Sequence, residues 1–212
     1  MTSIEAVFFD VGETLVDETR WWSDWAGWLD VAPTALLGVL GAVIERGLDH
    51  RVAFEIVSPG LDFDAVWAEK LAAGYVDVIE SDFYADARPC LARLKEAGYV
   101  VGVAGNQSWI PETLREHTDV DFVFTAGTLG VAKPASLFFE RIAAAISLSP
   151  DRIAYVGDRL DNDVAASARA GMHPVWLRRG PWAFIQQATI SAGEAIVIDS
   201  LDELPGAFGL VR

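Results

Sequence analysis

The stretch Phe8–Asp17, FFDVGETLVD, decides the architecture of this chain. An apolar run, Ala6-Val7-Phe8-Phe9, stops abruptly at Asp10, and Gly12 and the pair Thr14–Leu15 follow. An unbroken apolar run bounded by a turn signal fits a strand buried on both faces of a parallel sheet. A carboxylate at the end of such a strand, with a glycine just beyond it, stands at the carboxyl edge of the sheet, where open α/β folds bind ligands. Read alone, Asp10 is equally a strand-end aspartate capping the next turn.

Outward from this stretch, the chain from Asp86 onward alternates short apolar runs with amphipathic ones, the pattern of βα units and a parallel sheet. The periodicity predicts a helix over Ala87–Ala97 closed by Gly98, and a strand over Tyr99–Ala104. A short strand at Phe122–Phe124 follows, then a helix over Ala135–Ser147 with Leu137, Phe138, Ile142 and Ile146 on one face. Next come a strand at Ile153–Val156, a helix over Asp161–Ala170 ended by Gly171, and strands at Val175–Leu177 and Ala195–Ile198. The segment Gly180–Gly193 reads as a loop or short helix. The opening strand, Glu5–Phe9, must join this sheet, because it has no partner nearby.

That leaves Asp17–Ala85 as an insertion without alternating strands. Its apolar spacing (Leu36, Leu37, Leu40, Val43, Ile44, then Trp67, Leu71, Tyr75, Val78) suits helices. Trp21, Trp22, Trp25 and Trp28 fall on one helical stripe, and packing accounts for them better than a ligand cage does. The insertion holds 13 acidic against 4 basic residues, more than half of the chain's net charge of −15. A solvated surface explains this charge; the sharper expectation is a segment that disfavours highly anionic substrates.

Such acidity argues against nucleic acid and anionic membranes as partners, since phosphate backbones need clustered Lys and Arg. The charge-free stretch Val31–Ile44 contains two glycines and a proline and is too short to span a bilayer. The opening MTSIEAVFF has no basic region, so no signal peptide and a cytoplasmic location are expected. The single cysteine, Cys90, excludes an internal disulfide framework and a multi-cysteine metal site. The 212 residues suit one medium domain, or a core with an inserted module, as a monomer or homodimer.

Two downstream segments complete the chemistry: VAKP around Lys133 and YVGDRLDND around Asp158. With Asp10 they supply a carboxylate nucleophile, a charge-neutralising lysine and an acidic cation site. Gly157 is expected to let the backbone turn sharply after its strand, and Asp161 has an ordinary role as a helix N-cap. In this order and spacing, the Asp10 stretch, Lys133, Asp158 and Asp163 resemble the haloacid dehalogenase-like hydrolase superfamily.

The resemblance implies a Rossmann-like parallel sheet with helices on both faces, formed by residues 1–16 and 86–212, and an α-helical cap at 17–85. It implies a Mg²⁺-dependent hydrolase of small phosphorylated metabolites that works through an aspartyl-phosphate on Asp10. Lys133 would be catalytic and phosphate-binding; Asp10, the Gly12 carbonyl, Asp158 and Asp163 would hold Mg²⁺. Family phosphatases usually carry a second Asp two residues after the nucleophile, as acid and base, and here that position is Gly12. A Ser or Thr usually ends the second strand to hold phosphate. The matching position here is Gly105, with Asn106 next, so the Asn106 N–H or the Asn106, Gln107 or Ser108 side chain would stand in. Glu13, one residue beyond Gly12, is expected to point elsewhere.

Branches without that second Asp include dehalogenases, which do not need the Mg²⁺ end, and phosphonate-cleaving enzymes, which also use a cap lysine. Lys70 is the only lysine in the insertion, and its ordinary reading is a solvated charge. A catalytically impaired metal- and anion-binding protein, acting by interaction, is the alternative of a different class.

Overall fold

The computed structural model describes residues 3–107, 112–188 and 191–210. The chain divides into two compact units, Met1–Asp17 with Phe83–Arg212, and Glu18–Asp82.

The larger unit is built on six parallel strands: β1 (Ala6–Phe9), β2 (Val100–Gly105), β3 (Phe122–Thr125), β4 (Ile153–Gly157), β5 (His173–Leu177) and β6 (Ile196–Ile198). Their spatial order is β3-β2-β1-β4-β5-β6. Strand β1 is therefore central, with Phe9 beside Val103 on one side and Val156 on the other. The order reverses direction at β1, and this switch point is where doubly wound sheets open a crevice at their carboxyl ends. Asp10 stands there.

All four β1 residues are fully buried, so both faces are covered. On one face Ala6, Phe8, Ile153 and Tyr155 meet Phe138, Phe139 and Ile142 of helix Ser136–Ala145, together with Ala166 and Met172. On the other, Val7, Phe9, Val101, Val103 and Val156 are fully buried, and helix Ala87–Glu96 buries Cys90, Leu91 and Leu94. Gly102 lies beside Phe8, and a Cβ there would come within 2.2 Å of the Phe8 ring, so only glycine leaves that ring its place.

The structure departs from the sequence expectations at several points. Leu137 is 44% exposed, because the buried stripe of its helix runs Phe138, Phe139, Ile142, Ala143 and leaves Leu137 to one side. The helix expected over Asp161–Ala170 is a π-turn, Leu160–Val164, followed by a short helix, Ala165–Arg169. Both Asp163 and Val164 donate their N–H to the Arg159 carbonyl, at 3.0 and 3.2 Å, and this widens the turn. Gly180–Gln186, within the segment of open reading, is a helix.

The unit Glu18–Asp82 is helical: Thr19–Trp28, Pro33–Glu45, Arg51–Val57 and Phe63–Ala72. Its core is aromatic. Trp25 stacks on Phe63 with centroids 4.7 Å apart and on Trp67 at 5.9 Å, while Trp22 stacks on Phe54 at 5.5 Å. Arg20 forks onto Asp82 at 2.9 and 2.6 Å and also donates to the Asp77 carbonyl at 2.8 Å, tying the two ends of the unit together. Among the described residues no single helix is long and apolar enough to cross a membrane.

Lys70 is a correction to the solvated reading, since it is 1% exposed. Its ammonium lies 5.0 Å from the Trp25 ring, 4.9 Å from Trp28 and 4.3 Å from Tyr75. Burial lowers its pKa, opposed by the Asp24 charge. The amphipathic spacing could not show this, because the box is made by rings from helix Thr19–Trp28 and from Tyr75, beyond the end of the lysine's own helix. Ring–cation contacts contribute about 0.5–2 kcal/mol, less than the several kcal/mol that burying the charge costs, so the long stem is what the site needs. Lys70→Met is therefore expected to stay within about 1 kcal/mol of wild type, and Lys70→Ala to lose about 2–4 kcal/mol, in urea unfolding. Equal losses in both variants would show that the charge, not the stem, supports the unit.

Candidate active site

The site is assembled from the carboxyl ends of β1, β2 and β4 and the loop that carries Lys133. Asp10 follows β1, and its N–H is bonded to the Val156 carbonyl at 2.9 Å. Lys133 Nζ lies 2.8 Å from Asp10 Oδ1 and 2.6 Å from Asp163 Oδ1. The ammonium thus bridges the two carboxylates, and the lysine side chain is only 1% exposed. Burial alone would lower the Lys133 pKa, but Asp10 and Asp163 outweigh it and hold the amine charged. Lys133 Nζ also sits 5.3 Å above the Tyr155 ring, whose hydroxyl donates to the Ala104 carbonyl at 2.6 Å.

Asp10, Asp158 and Asp163 can each offer an oxygen within 4.8 Å of the others, a set that could hold a metal ion. Burial, then the charges of Asp163, Asp10 and Glu13, push the Asp158 carboxyl well above the usual carboxylate range. Burial likewise raises Asp163 to about 6, against the opposing pull of Lys133. Asp158 Oδ2 is buried without a hydrogen-bond partner among the described residues. An orphaned carboxylate oxygen facing two more carboxylates is costly unless a cation completes it.

The π-turn explains how Asp163 reaches the centre. Its carboxylate folds back onto Gly157 and accepts from the Arg159 N–H at 3.0 Å. A Cβ on Gly157 would fall 2.3 Å from Asp163 Oδ2, so this glycine serves close approach within β4 rather than the sharp turn expected of it. π-turns of this kind recur at functional sites. Asp161, considered above as an N-cap, instead pairs with Arg159 at 2.9 and 3.1 Å. Two further supports had no sequence signal: Trp176 Nε1 donates to the Asp158 carbonyl at 3.0 Å, and Gln186 accepts from the Leu160 N–H at 2.9 Å. Gln186 falls in the segment whose role the periodicity left open, and Trp176 reads as plain core.

At the second strand, Gly105 comes close to Asp10: a Cβ there would lie 3.2 Å from Asp10 Oδ1. The Asn106 carboxamide is engaged elsewhere. Its Oδ1 accepts from the Lys133 N–H at 2.8 Å and its Nδ2 donates to the Lys133 carbonyl at 3.1 Å. The Asn106 side chain thus clamps the lysine loop. Ser108 lies outside the described residues.

Glu13 takes up a left-handed conformation (φ 51°) and is buried. Its Oε2 accepts from the Tyr84 hydroxyl at 2.6 Å, and a Cβ on Gly180 would lie 2.6 Å from its Cγ. Arg179 stacks 4.0 Å from the Tyr84 ring, donates to the Thr14 carbonyl at 3.1 Å and pairs with Asp86. These contacts brace the loop after Asp10 from one side.

Comparison with known proteins agrees with this geometry. A family profile described as haloacid dehalogenase-like hydrolase matches residues 4–171. A glyceraldehyde 3-phosphate phosphatase of Methanopyrus kandleri is 28% identical over 84% of this chain and 86% of its own length. That of Pyrococcus furiosus is 29% identical over 86% and 84%. Among solved structures, a HAD phosphatase from Thermococcus onnurineus superposes with a TM-score of 0.63 at 21% identity, covering 99% of this chain and 100% of that one. A 2-haloacid dehalogenase from Pseudomonas syringae gives 0.59 at 22%, covering 97% and 98%, so the fold is common to both chemistries. With the matched region running from the first strand through the carboxylate cluster, the chain belongs to the haloacid dehalogenase-like hydrolase family.

Proposed function

We propose that this chain is a Mg²⁺-dependent phosphatase of small phosphorylated metabolites, with Asp10 as nucleophile. The observation that carries the reading is the buried ammonium of Lys133 bridging Asp10 and Asp163, beside Asp158 Oδ2, which has no hydrogen-bond partner among the described residues. A C–halogen hydrolase does not call for a three-carboxylate cation site, whereas a phosphoryl-transfer site does. Asp10, Asp158, Asp163 and the Gly12 carbonyl would hold Mg²⁺, which accepts few carboxylates and completes its shell with water and substrate oxygens. Bound there, the ion would neutralise charge on the transferring group and help align it.

In this reading an Asp10 oxygen attacks phosphorus, the leaving alkoxide departs, and the resulting acyl phosphate is hydrolysed by water. Lys133 stabilises the charge on the transferring oxygens, an electrostatic contribution strengthened by its burial. Gln186 and Trp176 hold the Asp158 loop at fixed backbone atoms, and Asn106 fixes the lysine loop. The phosphatase names of the curated relatives make glyceraldehyde 3-phosphate the first substrate to test. A hydrolysis screen over phosphomonoesters, a phosphonate and a 2-haloacid, with Mg²⁺ and with chelator, tests the function. Phosphomonoester turnover that vanishes in chelator is expected; turnover confined to the haloacid, or indifferent to chelator, would overturn it.

The acid/base position is the weak point of the site. Gly12 has no side chain, and Glu13 is directed to Tyr84 and Gly180. Gly12→Asp is expected to raise kcat at least about tenfold, part of the 10²–10⁴-fold that general acid–base catalysis typically supplies, with KM little changed. A folded, Mg²⁺-binding variant no faster than wild type would place the proton transfer on another group.

A further inference from the structure

At the end of β2, the missing side chain at Gly105 and the conformation of Gln107 are two halves of one arrangement. A Cβ built on Gly105 would lie 2.2 Å from Gln107 Oε1 and 3.1 Å from its Cδ, and the same point is 3.2 Å from Asp10 Oδ1. The glutamine carboxamide therefore folds back over Gly105 into the volume that a side chain at 105 would fill, next to the nucleophile. Its main chain is anchored there, the Gln107 carbonyl accepting from the Gly127 N–H at 3.4 Å. The neighbouring Asn106 cannot take this place, because both ends of its carboxamide are spent on the Lys133 main chain. Among the described residues the Gln107 carboxamide makes no hydrogen bond.

We propose that the Gln107 carboxamide is the phosphate-contacting donor of this site, placed by the absence of a side chain at Gly105. The inference rests on the phosphatase reading and names a residue for it. The carboxamide oxygen, Oε1, fills this volume in the structure, and a half-turn about Cγ–Cδ exchanges it for the NH2, whose two N–H donors can bind one or two phosphoryl oxygens beside Lys133. Because the group contacts substrate oxygens rather than transferring a proton, it acts on ground state and transition state together, and its loss appears in KM as well as in kcat/KM.

The test uses the full chain with Mg²⁺ and reads phosphomonoester kinetics together with inhibition by inorganic phosphate. Gln107→Leu, which keeps the bulk, is expected to weaken phosphate inhibition and kcat/KM by about ten- to a hundredfold, the range for a hydrogen bond to a charged group. Gly105→Ser alone should also be impaired, since hydroxyl and carboxamide compete for one volume. The double variant Gly105→Ser/Gln107→Ala should recover activity to within about threefold of wild type and well above Gln107→Ala, because the hydroxyl then has the space. A purely structural glutamine would not be rescued in this way. Gln107→Leu with unchanged phosphate inhibition, or a double variant no better than Gln107→Ala, overturns the proposal while leaving the phosphatase reading in place. A wild-type protein that neither hydrolyses phosphomonoesters nor binds phosphate removes both.

Discussion

Asp10→Asn is expected to lower phosphomonoester turnover by at least about 10³–10⁴-fold while leaving the fold intact. The amide cannot attack phosphorus, and it removes one of the two anionic partners of Lys133, 2.8 Å away. Stability should move in the opposite direction from activity. Asp10 is one of the charges that push the Asp158 carboxyl upward, so neutralising it relieves repulsion in the metal-free cluster. The expected signature is lost turnover with an equal or higher thermal midpoint in chelator. A variant that keeps wild-type turnover, free of contaminating phosphatase, would rule Asp10 out as nucleophile. A variant that merely unfolds would show that Asp10 is structural.

Lys133→Met should be the most disruptive single change, because it affects both stability and chemistry. It leaves Asp10, Asp158 and Asp163 facing one another without their buried counter-charge. Removing one partner of a buried ion pair costs about 3–5 kcal/mol, far more than the pair itself need contribute. The pH dependence follows from Asp163, whose pKa of about 6 lies above its ordinary 3.8. Between those values the folded protein holds a proton that the unfolded chain releases, so metal-free stability falls as pH rises through that window. Loss of the lysine charge, which pulls this pKa down, extends the window upward. The variant should therefore be most destabilised near pH 7–8, recover toward pH 5, and gain more from Mg²⁺ than wild type does. Turnover should drop about 10³-fold even where the protein is folded. Parallel stability–pH curves for the two proteins would show that the lysine and the cluster are not coupled.

Much of the fold was legible because the central strands β1, β2 and β4 are short apolar runs buried on both faces, and such burial leaves no polar alternation to confuse the reading. The four charged residues were legible for a related reason. Asp10 and Asp158 end such runs, Asp163 lies five residues beyond Asp158, and Lys133 sits in a loop at the same edge. What the sequence could not show depends on neighbours distant in the chain. The Lys70 box joins rings of residues 25, 28 and 75, and the role of Gly157 is visible only once the π-turn lays Asp163 on it. Likewise, three candidates for the missing hydroxyl remained open at Asn106, Gln107 and Ser108. Only the bonds from Asn106 to the Lys133 main chain, and the fold-back of Gln107, distinguish the first two.

The central position of β1 also bears on how the chain reaches this state. Its hydrogen-bonded neighbours begin at Val100 and Ile153, so the strand that presents the nucleophile must wait for partners 94 and 147 residues further along, counted from Ala6. Parallel pairing over such separations requires large loops to close before any contact rewards them, and rates fall accordingly. Until then Ala6–Phe9, four of the most buried residues in the native protein, is an unpaired apolar segment open to wrong association. The helices of Glu18–Asp82 close shorter loops, with Arg20 reaching Asp82 across 62 residues, and face less delay. On a ribosome the unit between the two halves of the sheet would thus be structured while the nucleophile strand is still searching, and the catalytic centre would be among the last parts of the molecule to exist.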